Sequence, residues 1–226
     1  MKSFGFLFAL AALQAGPPAH LVLSGTPAGH RIVLTFDAGA DRGYAAQILH
    51  TLEQRHVHAT FGMTGRWANA NRDLVRRMAR DGDTFINHTY DHRSFTGVSD
   101  HGPGLSTAQR TWEITQTEWV IHRLTGRSTK PYFRPPYGDY DSATLTLVNR
   151  LGYSRVIMWT LDSLGWERIS TAAIVSRCSN AVRPGSIVLM HVGAQSNDAY
   201  ALPTLIHMWK RQGFIFVTVP QLLAAR

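Results

Sequence analysis

The sequence predicts an α/β fold, a distorted (β/α) barrel with about seven parallel strands, formed by a single domain. Three observations support this. From Arg31 onward, apolar runs short enough for buried strands alternate with amphipathic segments long enough for helices. No internal repeat and no Pro/Gly/Ser-rich linker interrupts that alternation across the 226 residues. Runs such as Ile187-Val188-Leu189-Met190 are apolar at every position, the pattern of parallel strands covered on both faces.

The first strand is expected near Ile32–Asp37, followed by a helix over Tyr44–Arg55 and a strand at Ala59–Met63. Leu74, Val75, Met78 and Ala79 recur at the helical period and place a helix over Arg72–Arg80, ahead of a strand at Thr84–Asn87. A helix over Thr107–Leu124 leads to a strand at Tyr132–Arg134, and Ser142–Leu151 to one at Arg155–Thr160. The last two units pair Thr171–Val182 with Ser186–His191 and Leu202–Arg211 with Phe214–Thr218. Gly82, Gly126, Gly152 and Gly213 each stand just past a predicted helix, where a left-handed cap costs glycine least.

Composition narrows the function classes. With 44% apolar, 10% aromatic and 17% charged residues, the chain is neither low-complexity nor fibrous. No run reaches the ~18 apolar residues of a membrane span, so no integral span is expected in the mature domain. Cys178 stands alone, which excludes an internal disulfide and a cysteine-based zinc site and argues against redox chemistry. The net charge of +8 favours an anionic partner such as nucleic acid, anionic lipid or an acidic cell-wall polymer. Twenty of the 23 basic residues are Arg, however, and no dense basic run alternates with aromatics, so a nucleic-acid partner is not expected. At the N-terminus, Lys2 precedes the apolar run Phe4–Leu13, then Gln14-Ala15-Gly16 and Pro17-Pro18. Residues 1–16 read as a signal peptide or an N-terminal anchor ahead of a domain at 17–226, which implies a secreted or cell-envelope protein; a first strand packed on the domain is the alternative.

Five predicted strands run into a residue that packing alone does not favour: Asp37, His88, Arg134, Asp162 and His191. In barrels of this type those C-terminal ends converge on the face where chemistry is built. Each has an ordinary explanation by itself, as a turn cap, a rim ion pair or an edge histidine, but five together point to one shared polar site. His88 and His92, four apart in His-Thr-Tyr-Asp-His, would face the same way on a helical turn and share a divalent ion. Zinc takes three protein ligands where an open position holds water, so a third donor is required.

These residues resemble the polysaccharide deacetylase family, carbohydrate esterase family four, over essentially Arg31 to Thr218. Five motifs occur in family order: Thr35-Phe36-Asp37-Ala38-Gly39, His88-Thr89-Tyr90-Asp91-His92, Arg134-Pro135-Pro136-Tyr137-Gly138, Asp162-Ser163-Leu164-Gly165-Trp166 and Leu189-Met190-His191. The resemblance implies Asp37 as general base, His88 and His92 as ligands of a divalent metal (Zn, with Co or Ni as alternatives), and Arg134 as the partner of Asp37. It further implies that the Tyr137 N–H stabilises the oxyanion, His191 protonates the leaving amine, Asp162 orients or charges that histidine, and Trp166 and Leu189 wall an acetyl pocket. The implied reaction is hydrolysis of N-acetyl groups on a hexosamine-containing polysaccharide, peptidoglycan or chitin-like, with release of acetate. Such chemistry needs a base, an oxyanion stabiliser and an acid.

The chain departs from the pattern twice. Ala38 stands where the family places a metal-binding aspartate, and Gly165 where the fourth motif has its second aspartate. Asp41 is a substitute ligand or a loop and cap residue. Two functional readings of different class therefore remain, a metal-dependent N-deacetylase or a catalytically silent glycan-binding homologue that lost its metal carboxylate, and a third, esterase action on O-acetylated sugar, shares the machinery of the first and is separable only by substrate.

Overall fold

The computed structural model describes residues 16–224, so the N-terminal segment read as a signal or anchor lies, apart from Gly16, outside the described residues. Among these residues nine strands and eight α-helices follow in chain order: β1 (His20–Val22), β2 (Arg31–Ala38), α1 (Ala45–Gln54), β3 (Thr60–Met63), α2 (Gly65–Ala70), α3 (Arg72–Arg80), β4 (Thr84–Asn87), α4 (Thr107–Thr125), β5 (Tyr132–Phe133), α5 (Ser142–Arg150), β6 (Arg155–Ile157), β7 (Leu161–Asp162), α6 (Thr171–Ala181), β8 (Ile187–His191), α7 (Asp198–Arg211), β9 (Ile215–Phe216) and α8 (Val219–Ala224). All strand pairings are parallel. The sheet runs β1-β6-β5-β4-β3-β2-β8-β7, with β9 against the start of β2. This is the distorted (β/α) barrel expected from sequence, with two short strands more than the expected seven.

The extra strands are β1 and β7. β1 has only three residues, two of them exposed. β7 is separated from β6 by an irregular turn at Met158–Thr160, within what reads as one strand in sequence. α7 begins at Asp198 and carries Pro203 inside it, whereas the sequence places its start at Leu202. A proline interrupts the helical hydrogen-bond ladder, which hid the first turn.

Local chemistry sets the boundaries. Ser106 and Gln109 form a reciprocal capping box at the start of α4, and Gly126, at φ 72°, ends it in the left-handed region. β2 packs against the helical layer: Ile32, Leu34 and Phe36 are fully buried, and helices α1, α3, α4, α6 and α7 add Leu49, Val75, Ile121, Ile174 and Trp209 to the same buried mass. No helix among the described residues is long and apolar enough to cross a membrane.

Candidate active site

The register of the sheet builds the site. Asp37 on β2 pairs laterally with His191 on β8, and on its other side with Gly62 on β3. Partners in a parallel ladder stand about 4.8 Å apart and project to the same face, so a carboxylate and an imidazole are delivered side by side to the C-terminal end of the barrel. Gly62 is the bare neighbour this requires, since a Cβ there would lie 2.4 Å from Asp37 Oδ1.

Asp37 is held from below by a cation with no exposure to solvent. Arg134 Nη1 donates to Asp37 Oδ1 at 2.8 Å, and its other donors reach the Ile157 carbonyl (2.8 Å), the Met158 carbonyl (3.2 Å) and Thr35 Oγ1 (3.1 Å). The Thr35 hydroxyl itself donates to the Val188 carbonyl at 2.8 Å, tying the guanidinium to β8. Burial by itself would raise the Asp37 pKa, but the charge and hydrogen bond of Arg134 beside it hold the carboxyl below its ordinary value. The group is therefore an ionised proton acceptor at neutral pH.

His88 Nδ1 donates to the Arg134 carbonyl at 2.9 Å, which fixes the tautomer and leaves Nε2 as the lone-pair atom, 3.5 Å from Asp37 Oδ2. The His92 ring packs edge-on to His88 at 4.8 Å and to Tyr137 at 4.7 Å. Burial lowers both histidines, His92 to about 3, so both imidazoles are neutral. The loop bearing them is shaped by Glu113, whose Oε2 accepts the N–H groups of Tyr90 and Asp91 at 2.7 and 2.8 Å. Thr89, His92, Tyr137 and Leu164 all adopt positive φ. Such backbone costs on the order of 1–3 kcal/mol per residue and is concentrated here in the loops around the site.

Two neutral imidazoles are suitable metal ligands, but the third is missing. Position 38 is a fully buried Ala. Asp41 Oδ1 accepts the Ala194 N–H at 2.9 Å, so that side chain braces the loop after β8. Among the described residues no group of three His, Cys, Asp or Glu side chains is arranged around one ion position. The residues present thus do not make up the three-ligand set of a catalytic zinc site.

A cavity of about 550 Å³ opens above these groups, in the size range of small-ligand sites. Of the residues singled out in sequence, Asp37, His88, His92, Tyr137, Asp162, Trp166, Leu189 and His191 line it, and Arg134 lies beneath. Trp166 and Tyr137 are half exposed at its mouth. Asp162 is turned to its own loop, accepting the Leu164 N–H at 2.9 Å and the Trp166 indole N–H at 3.3 Å. A second carboxylate, Asp198, reaches His191 through the backbone: its Oδ2 accepts the His191 N–H at 2.8 Å. Thr35, Gly62, Glu113 and Asp198 were not identified as site residues from sequence; no strand-end signal marks them, since each acts through a contact that only the fold brings about.

A family model described as polysaccharide deacetylase matches residues 24–156. A peptidoglycan-N-acetylglucosamine deacetylase of Bacillus cereus is 30% identical over 194 residues, covering 84% of this chain and 67% of that protein. A crystal structure of a peptidoglycan N-acetylglucosamine deacetylase superposes with a TM-score of 0.82 at 28% identity, over 91% of this chain and 94% of the other. A CE4 family pseudoenzyme from Bacillus anthracis superposes with a TM-score of 0.81 at 26% identity, over 91% and 69% of the two chains, and a mutant of that protein has restored enzymatic activity.

Proposed function

This chain belongs to the polysaccharide deacetylase family, and on that premise we propose that it hydrolyses N-acetyl groups on a hexosamine-containing polysaccharide, peptidoglycan or chitin-like, releasing acetate. The observation that carries the proposal is the lateral pairing of Asp37 with His191 at the open end of the barrel, with Asp37 ionised against Arg134. Asp37 takes a proton from water as the water oxygen attacks the acetamido carbon. The Tyr137 backbone N–H faces the oxygen that gains charge. His191 gives a proton to the nitrogen as the C–N bond breaks, so acetate and a free amine leave. Trp166 and Leu189 wall the acetyl group, with Trp166 offering its exposed face to a sugar ring.

The family resemblance brings a divalent metal with it, and in this chain we place it on His88 and His92 alone. That makes a weak site, and no step above passes through it. Residues 17–226 form the catalytic domain in this reading, and residues 1–16 the signal or anchor that delivers it to the cell envelope, where N-acetylated glycan lies.

A second reading has specific support. Ala38 and the missing third ligand favour a catalytically silent glycan-binding homologue. Retention of Asp37, Arg134 and His191 together favours the hydrolase, because a binder needs neither a base nor an opposed acid. Acetate release from peptidoglycan, chitin oligomers and acetylated exopolysaccharide, with and without added Zn²⁺, Co²⁺ or Ni²⁺, separates them: turnover of any of these supports the hydrolase, and silence on all of them with retained glycan binding supports the homologue.

A further inference from the structure

Position 165 is glycine for a reason its own backbone does not supply. Gly165 opens the short 3₁₀ turn Gly165–Glu167 without a positive φ, so an L side chain is conformationally allowed there. Asp198 is what excludes one. A Cβ at 165 would lie 2.4 Å from Asp198 Oδ1, 2.6 Å from Cγ and 2.7 Å from Oδ2. The carboxyl of Asp198 therefore stands where a side chain at 165 would begin.

Asp198 is fully buried at the first position of α7. Besides the His191 N–H, its Oδ2 accepts the Ser196 hydroxyl at 2.8 Å, and the Ser163 hydroxyl also stands beside the carboxyl. Burial pushes its pKa up, as expected for a carboxyl withdrawn from water. Withdrawing a carboxyl from water is costly, and an apolar side chain would fill the place more cheaply if packing were the only demand. What Asp198 touches instead is the last residue of β8, the one that carries the proposed acid.

We propose that Asp198 is a positioning residue for His191: from the start of α7 it supplies the carboxylate that the fourth sequence motif would carry at position 165, and through the His191 backbone it fixes where the imidazole stands. The inference rests on the hydrolase reading for its kinetic consequence, but not for its structural one. Residues 165 and 198 then form a mutually exclusive pair, one carboxylate with two possible places of attachment.

The test is an exchange. Wild type, Asp198→Ala, Gly165→Asp and the double variant Gly165→Asp/Asp198→Ala are compared by steady-state acetate release on whichever glycan the wild type turns over, and by NMR of protein labelled with ¹⁵N-histidine. Asp198→Ala should lower kcat roughly 10- to 100-fold, as small misplacements of reacting groups do, while KM moves less than about twofold. The His191 amide proton should shift upfield and exchange faster. Gly165→Asp alone should be destabilised by the clash, and the double variant should recover most of both signals. Asp198→Asn, which keeps an acceptor for the His191 N–H, should stay within roughly threefold of wild-type kcat and covers the case in which Asp198→Ala does not fold. The proposal is overturned by unchanged kcat and an unchanged His191 amide in folded Asp198→Ala, by a folded double variant no nearer wild type than Asp198→Ala, or by Asp198→Asn losing kcat as fully as a deletion. A wild type silent on every glycan would refute the hydrolase reading, and the amide signal would then decide the positioning role by itself.

Discussion

Replacing Arg134 by Met tests the buried ion pair on which the site is built. The guanidinium has no exposure to solvent and makes hydrogen bonds to Asp37, Thr35 and two carbonyl groups, at Ile157 and Met158. A methionine fills much of the volume but leaves Asp37 as a buried carboxylate without its cation. Breaking a buried pair from one side costs about 3–5 kcal/mol, most of it the penalty of the charge left behind. Against a domain stability of about 5–15 kcal/mol, the variant should fold, with a clearly lowered urea midpoint. The companion variant Asp37→Asn removes the other charge, and the double variant Asp37→Asn/Arg134→Met removes both. Because the two side chains share one hydrogen-bonded network, the double variant should be less destabilised than the sum of the singles by about 1–3 kcal/mol. Urea unfolding of all four proteins at pH 7 measures each term. A cost for Arg134→Met below about 1 kcal/mol, or strict additivity in the cycle, would refute the argument that Arg134 neutralises Asp37.

Asp83 gives a pH prediction at the opposite end of the barrel: buried at 2% exposure, with Oδ1 accepting the Ala59 N–H, it has its pKa raised by burial to about 7. The native state thus keeps a proton that the unfolded chain releases, so stability falls as pH rises from about 4 to about 7, by on the order of 4 kcal/mol at most, and levels off above. Asp83→Asn should remove that slope between urea midpoints at pH 4.5 and pH 8, and an unchanged slope would assign it to another group. Ala38→Asp puts back the carboxylate that the family pattern carries at this position, and calorimetric titration should show Zn²⁺ binding tightened by roughly tenfold or more; equal affinity would deny position 38 a part in metal binding, and full Zn²⁺ binding by His88→Ala and His92→Ala would remove the pair from the metal site. Trp166→Ala should raise KM for glycan several-fold with little change in kcat if its exposed face stacks on sugar, and an unchanged KM would free it of that role.

Much of this was legible in the sequence because strand ends are local signals. An apolar run closing on Asp37, His88, Arg134, Asp162 or His191 can be read without knowing the fold, and the sheet brings all five to one end. The alternation of runs and amphipathic segments likewise fixed seven of the nine strands. The short strands β1 and β7 were hidden because two or three residues make no period. α2 was hidden because Gly65–Ala70 is a single short turn and a half, capped by the Thr64 hydroxyl. Residues acting across the sheet were not legible for a different reason. Thr35 reads as an ordinary strand threonine until Arg134, 99 positions away, is placed against it. Gly62 shows its purpose only beside Asp37, and Gly165 only beside Asp198. Asp162 closes a strand-end run and is legible there, with hydrogen bonds to its own loop, whereas Asp198 opens a helix after an irregular loop and shows its contact with the His191 backbone only in the fold.

The central claim is that Asp37 serves as the base of an acetamide hydrolase, and acetate release by Asp37→Asn beside wild type tests it most directly. The amide is nearly isosteric and keeps an acceptor for Arg134, so the variant should remain folded, while losing the basicity that takes a proton from water. The account predicts acetate from an N-acetylated glycan with the wild type and none above background with folded Asp37→Asn, with or without added Zn²⁺. Near-normal turnover by Asp37→Asn, or no turnover by wild type on any glycan with any of the three metals, would contradict it.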